Sequence, residues 1–253
     1  MPKLSHFYGL SILTAYNPII TQLTSVDLQY SGEYFDVPSL ARTLYQATNL
    51  QDLSLELRKL KVAEQATRLT SDKMPEPHSF SIKSLKLDIK GDVTMSYDVI
   101  RPLCGALSYL SPLKVDISCP LESHYYQDGT VTPYGSEIRI CIAESTDIVQ
   151  LLAKLVQQCS IARSVCIEAP ASYFSTYYLG GGNWTWFSSL RYIRFHNCGG
   201  LTEEQVKPFA ISLLADEAGM NLQSLEFTSC GNISEDFLLN LSDIVGQKLK
   251  WSR

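Results

Sequence analysis

The residues best able to do chemistry are seven cysteines and four histidines. Cys104, Cys119, Cys141, Cys159, Cys166, Cys198 and Cys230 form no CxxC pair and no His-Cys cluster at zinc spacing. Five of them fall on or just after strand patterns, and Cys104 and Cys159 fall on helix patterns, where a thiol behaves as a small apolar group. They read as reduced packing residues. His6, His78, His124 and His196 offer no HExxH pair and no triad partner at motif spacing. Gly180-Gly181-Gly182-Asn183-Trp184 lacks the lysine and hydroxyl of a phosphate loop and reads as a flexible turn. These residues call for no metal and no cofactor, and the chain is expected not to be an enzyme.

What remains is the chemistry of recognition. Tyr173, Phe174, Tyr177, Tyr178, Trp184, Trp186 and Phe187 put seven rings within fifteen residues. Aromatic side chains anchor interfaces because they bury large area at small entropic cost. Tyr177, Tyr178 and Trp184 are the contact candidates there, with Trp186 and Phe187 expected beneath. Tyr192, Arg194 and His196 alternate along a single strand pattern beside that loop. Lys86, Lys114 and Arg139 are further charged candidates.

The elements that must position these side chains follow from a repeat. Leu222, Leu225, Phe227 and Cys230 fit a frame LxxLxLxxC, followed by Gly231 and a capping serine. Leu190, Ile193, Phe195 and Cys198 fit it again. Relaxed copies begin at Leu23, Leu50, Ile82, Leu110, Gly135 and Ala162, so the intervals are 27, 32, 28, 25, 27, 28 and 32 residues. A period of this length implies a solenoid, here of about eight units over residues 23–253. Residues 1–22 are expected to form an N-terminal helical cap over the first unit. Helical periodicity follows strands one, three, five, seven and eight. Thr202-Glu203-Glu204-Gln205 is a capping box for the seventh, and Ser234 a cap for the eighth. Residues 58–81, 119–134 and 170–189 carry Pro and Gly and read as loops instead. Lys248–Trp251 is expected to add a short last strand.

The strands alternate apolar and polar residues, so one sheet face stays wet. The frame puts Ser54, Lys86, Lys114, Arg139, Arg194 and Glu226 in one column of that face. Glu56, Asp88, Asp116, Cys141, Glu168 and His196 fall in the next. Three cations would then stack in a row beside carboxylates.

This frame resembles a leucine-rich repeat, and the cysteine at its ninth place is similar to the cysteine-containing subtype of F-box leucine-rich-repeat proteins. The residues that carry the resemblance are Leu190–Thr202 and Leu222–Ser234. It implies an α/β fold, a leucine-rich-repeat solenoid wound as a right-handed βα superhelix with its parallel sheet on the concave face. It also implies a protein-protein interaction module that recognises a ubiquitin-ligase substrate, with an indirect link to a cullin-type ligase. No F-box pattern is visible in the sequence. The partner is expected on the concave face, through Lys86, Lys114, Arg139, Tyr192, Arg194 and His196, with Tyr177, Tyr178 and Trp184 from the loop. The alternative is a small-ligand or carbohydrate binder, or an enzyme, built around aromatic residues 173–187.

A formal net charge of −5 leaves no basic excess for a phosphate backbone, so nucleic acid is not the expected partner. No apolar run is long enough to span a membrane, and the N-terminal residues do not form a secretory signal. The protein is expected to be intracellular, in cytoplasm or nucleus.

Overall fold

The computed structural model describes residues 6–10, 20–31, 36–58, 81–90, 103–104, 106–107, 110–119, 134–175, 184–215 and 221–252. The chain divides into two units, Met1–Cys119 and Pro120–Arg253. Each is α/β and built on a parallel sheet.

In the N-terminal unit, β1 (His6–Leu10), β2 (Ser25–Ser31), β3 (Asp52–Arg58), β4 (Ser84–Lys90) and β5 (Lys114–Cys119) lie side by side in chain order, each parallel to the next. Successive side chains of a strand point to opposite faces. Val26 and Leu28, Leu53, Leu55 and Leu57, Leu85, Leu87 and Ile89, and Val115 and Ile117 are accordingly buried on one face. The helix after β2 is α1 (Val37–Gln46), which starts where Asp36 accepts the Ser39 N–H at 3.1 Å and Pro38 fixes the first turn. Its buried residues are Val37, Leu40, Ala41, Thr43, Leu44 and Tyr45. Leu103, Cys104, Ala106 and Leu107 are also helical, and the Tyr45 hydroxyl donates to the Ala106 carbonyl at 3.4 Å.

In the C-terminal unit the parallel sheet runs β6 (Glu137–Ile142), β8 (Ser164–Glu168), β10 (Tyr192–His196), β11 (Ser224–Thr228) and β12 (Leu249–Ser252). Helices α2 (Ile148–Gln158), α3 (Glu203–Ala215) and α4 (Glu235–Val245) follow β6, β10 and β11. Two short strands, β7 (Thr146–Asp147) and β9 (Ser172–Tyr173), pair parallel outside the main sheet. The expected last strand is present as β12, with Leu249 buried and Trp251 half-buried.

Hydrogen bonds repeat with the sequence period. The Thr24 carbonyl accepts the N–H groups of Gln51 and Asp52, and the Gln51 carbonyl those of Lys83 and Ser84. In the C-terminal unit Ser136 serves Arg163 and Ser164, Arg163 serves Arg191 and Tyr192, and Arg191 serves Gln223 and Ser224. Each of these strands, β3, β4, β8, β10 and β11, is thus pinned at its start to the segment one repeat earlier. The exits match too. Asn197 and Ser229 are both left-handed, at φ 50° and 53°, and turn the chain inward to Cys198 and Cys230. Cys198 Sγ donates to the Ile167 carbonyl at 3.5 Å, and Cys230 Sγ to the Phe195 carbonyl at 3.6 Å, each reaching one strand back. These two thiols do the packing work expected of them, and add a hydrogen bond.

Capping links adjacent units as well. The Gln205 side chain accepts the Thr202 N–H at 3.3 Å, the return half of the expected capping box. Ser234 Oγ accepts the Phe237 N–H at 3.2 Å and caps α4. Glu203, in the first turn of α3, in turn accepts the Ser234 N–H at 2.9 Å and its hydroxyl at 2.6 Å.

Two expectations need correction. Residues 6–10 are not a helical turn of a cap but the strand β1, running parallel to β2 with Phe7 opposite Val26. Their dense apolar residues suit a sheet edge as well as a helix. Most of the remaining expected cap, residues 11–19, lies outside the described residues. The second correction is in the register of β5. Val115, not Leu113, stands opposite Leu85, and Leu113 is half exposed. The frame there shifts by two residues, so Pro112, Val115 and Ile117 fill the inner positions.

Of the segments expected to be loops, 59–80 and 120–133 lie outside the described residues. Within 170–189, β9 and a 3₁₀ helix, Trp184–Ser189, stand where other units carry an α-helix.

Candidate functional site

The polar face of each sheet is the surface that the recognition residues share. In the N-terminal unit the register sets Asp27, Ser54, Lys86 and Asp116 in one row. Ser25, Asp52, Ser84 and Lys114 form the row before it, and Gln29, Glu56, Asp88 and Ser118 the row after. Lys86 and Lys114 are both exposed, as expected. They are not neighbours in a cationic stack, because the two-residue shift at β5 puts Asp116 beside Lys86 and moves Lys114 beside Ser84. Strand periodicity is two, so the shift changed the neighbour without changing the face. Toward the strand ends, Glu56 accepts from Arg58 and from Lys90, the latter at 3.0 Å, and Lys90 also reaches Asp88 at 3.2 Å. These cations hold the Glu56 carboxyl below its ordinary range, Arg58 first and Lys90 second.

In the C-terminal unit Arg139, Cys166, Arg194, Glu226 and Lys250 form one row. Cys141, Glu168, His196, Thr228 and Ser252 form the next. Arg194 Nε donates to Glu226 at 2.8 Å and Arg139 Nη2 to Glu168 at 3.0 Å. Cys141 Sγ adds a 3.4 Å bond to Glu168. The Arg139 guanidinium chiefly holds the Glu168 carboxyl below its usual range, with smaller help from Cys141 and the facing His196. Tyr192 is exposed and its hydroxyl donates to Gln223. Arg139, Tyr192 and Arg194 are therefore exposed and His196 half-buried, on one face of β6 and β10, with β8 between them. Cys166 and Lys250 belong to this row and sequence reasoning did not single them out. Only the strand register, which sets Cys166 between Arg139 and Arg194, identifies them.

The aromatic loop divides differently from the expectation. Trp184, expected as a contact, is buried: the residue is 8% exposed and its ring lies 5.7 Å from Phe187 and 5.8 Å from Phe209. Trp186, expected beneath, is 41% exposed, while Phe187 is buried as expected. Phe174 stacks on Phe209 at 4.3 Å and meets Phe195 edge-on at 5.5 Å. The rings of 174, 184 and 187 thus fill the space under the sheet that an α-helix fills elsewhere. In a 3₁₀ helix, side chains three apart eclipse, so Trp184 and Phe187 share a face and Trp186 turns outward. Tyr177 and Tyr178 lie outside the described residues.

Beneath the sheet, Asp147 is the buried carboxylate that ties this loop down. It caps α2 by accepting the N–H groups of Val149 and Gln150 at 3.1 and 3.4 Å, and it accepts the Ser175 N–H at 3.3 Å. Burial raises its carboxyl above the ordinary aspartate range, against the three N–H groups that lower it. A carboxylate with a raised folded-state pKa contributes stability only while protonated, below the unfolded pKa, and loses it as pH rises through the folded value. Asp147→Asn, which keeps an acceptor without the charge, is expected to melt above wild type at neutral pH. That gap closes as the pH falls below about 4, the unfolded aspartate value. Asp147→Ala leaves three N–H groups without an acceptor and should cost about 1–2 kcal/mol throughout. Thermal melts of both variants across pH check this.

Among the described residues, no group of three or more His, Cys, Asp or Glu side chains could hold a metal ion. No helix among them is long and apolar enough to cross a membrane. The chain matches no protein-family model, and no curated protein matches it.

Proposed function

We propose that both units are built of leucine-rich repeats of the solenoid type and that their polar sheet faces, concave in such a solenoid, bind a protein partner. The reading is of a non-enzymatic intracellular interaction module, similar to the substrate-recognition part of F-box proteins and linked only indirectly to a ubiquitin ligase. The observation that carries it is the row of exposed polar side chains on strands that bury every alternate residue. Arg139, Tyr192, Arg194 and His196 in one unit, and Lys86 and Lys114 in the other, stand on strands, where little backbone freedom remains to be lost on binding. Charged pairs on such a face set orientation and association rate, while exposed rings such as Tyr192 supply apolar area. The burial of Trp184 supports this reading over a small-ligand site on the aromatic loop.

Arg194→Glu tests this reading. The side chain is more than half exposed, so its pair with Glu226 contributes about 0–1 kcal/mol, and the variant is expected to melt within a few degrees of wild type. Two facing carboxylates would then repel a complementary partner. Affinity purification from the native host, followed by mass spectrometry, should recover a protein with wild type that is depleted with Arg194→Glu and with Tyr192→Ala. Recovery of the same proteins in equal amounts from all three baits would overturn the assignment of this face.

A further inference from the structure

Beyond that reading, and on the opposite side of the sheet, two sulfurs and a cavity come together. Cys198 and Cys230 occupy the same place in consecutive repeats, two residues beyond the paired His196 and Thr228. Continuing the register of β10 and β11 by two residues sets Cys198 and Cys230 side by side. Cys230 lines a cavity of about 740 Å³ at the ends of β11 and β12, walled by Phe227, Ile233, Leu238 and Trp251. Cys198 lies behind it, fully buried.

We propose that Cys198 and Cys230 are a peroxide-reactive dithiol: hydrogen peroxide entering this cavity oxidises Cys230, and Cys198 then closes a disulfide between the two repeats. In the first step the Cys230 thiolate attacks the peroxide, so that an S–O bond forms, the O–O bond breaks and hydroxide leaves. In the second the Cys198 sulfur attacks the sulfenic acid of Cys230. An S–S bond forms, the S–O bond breaks, and water leaves carrying the Cys198 proton. Both thiols are oxidised and the peroxide ends as two molecules of water.

The surroundings favour this order of attack. The neighbouring Cys198 thiol holds the Cys230 thiol below its usual range, whereas Cys230 and burial push the Cys198 thiol up. The thiolate is the nucleophile and Cys230 is the thiol that lines the cavity, so Cys230 reacts and Cys198 resolves. Neighbouring parallel strands lie about 4.8 Å apart, within the Cα separation of a disulfide. Three other cysteines lack one requirement or another. Cys141 faces the Glu168 carboxylate, burial pushes the Cys104 thiol up to about 12, and Cys166 has arginines rather than a second thiol as its in-register neighbours.

The experiment treats the purified full chain with hydrogen peroxide, denatures it in N-ethylmaleimide and digests it with glutamyl endopeptidase. Cleavage after Glu203 and Glu226 leaves the two cysteines in separate peptides. The expected result is a Cys198–Cys230 linked peptide that rises with peroxide and is lost on reduction. Cys198→Ser should abolish the link and leave Cys230 as a sulfenic acid that dimedone traps. Cys230→Ser should leave Cys198 fully alkylated. Should either variant fail to fold by circular dichroism, the wild-type digest alone decides. Recovery of Cys198 and Cys230 as maleimide adducts at a peroxide dose that has already oxidised Cys166, or linkage of either to a different cysteine, overturns the proposal.

Discussion

Leu225→Asp is expected to abolish the unfolding transition of the C-terminal unit, by a loss of about 5 kcal/mol or more. Leu225 is fully buried, opposite Ile193 on one side and Leu249 on the other. The substitution removes an apolar side chain and sets a carboxylate between the apolar Ile193 and Leu249. Even protonated, the acid would leave an unmet hydrogen-bonding group in a dry seam. Arg194→Glu, on an adjacent strand and the opposite face, inverts a charge at almost no cost in folding. Urea titrations followed by circular dichroism compare the two. If Arg194→Glu proved the more damaging, the assignment of inner and outer faces would fail.

Gly200→Ala is expected to cost about 1–3 kcal/mol, far more than its size suggests. A Cβ at Gly200 would collide with the Ser172 carbonyl oxygen and come within 2.9 Å of the Ser172 nitrogen. Both are backbone atoms of β9, which Asp147 and the β7 pairing hold in place, so neither can step aside cheaply. Gly231 provides the control, since a Cβ there meets nothing within 4 Å, and Gly231→Ala should be close to neutral. Equal melting temperatures for the two variants would show that β9 yields more readily than its packing implies. The cost at Gly200 arises because this unit has a backbone strand where its neighbours have a helix.

The inner faces of the strands were legible because burial imposes a period of two, and Val26, Leu53, Leu85, Ile138, Val165, Ile193 and Leu225 all carry it. The helices after β2, β6, β10 and β11 were legible from spacing and from caps such as Ser234. Neighbour relations were harder to read. At β5, Leu110-Ser111-Pro112-Leu113 offers two apolar starts to the frame, and only the pairing with β4 decides between them. A shift by two keeps every side chain on its proper face, so alternation alone cannot reveal it. Trp184 and Trp186 posed a similar difficulty. Both are large and two residues apart, and which one turns inward depends on the 3₁₀ geometry of residues 184–189 and on room beside Phe209. At the N-terminus, Phe7, Tyr8 and Leu10 suit a helix or a strand equally, and a free edge on β2 determined the outcome.

The carboxylate of Glu203 has its own consequence. By holding Ser234, it makes the first turn of α4 depend on the first turn of α3. Helix ends ordinarily fray one at a time, but here the two must open together, so amide exchange at Phe237 and Leu238 should report the state of a helix about thirty residues upstream. Opening would then pass from one helix start to the next rather than stay confined to a single turn.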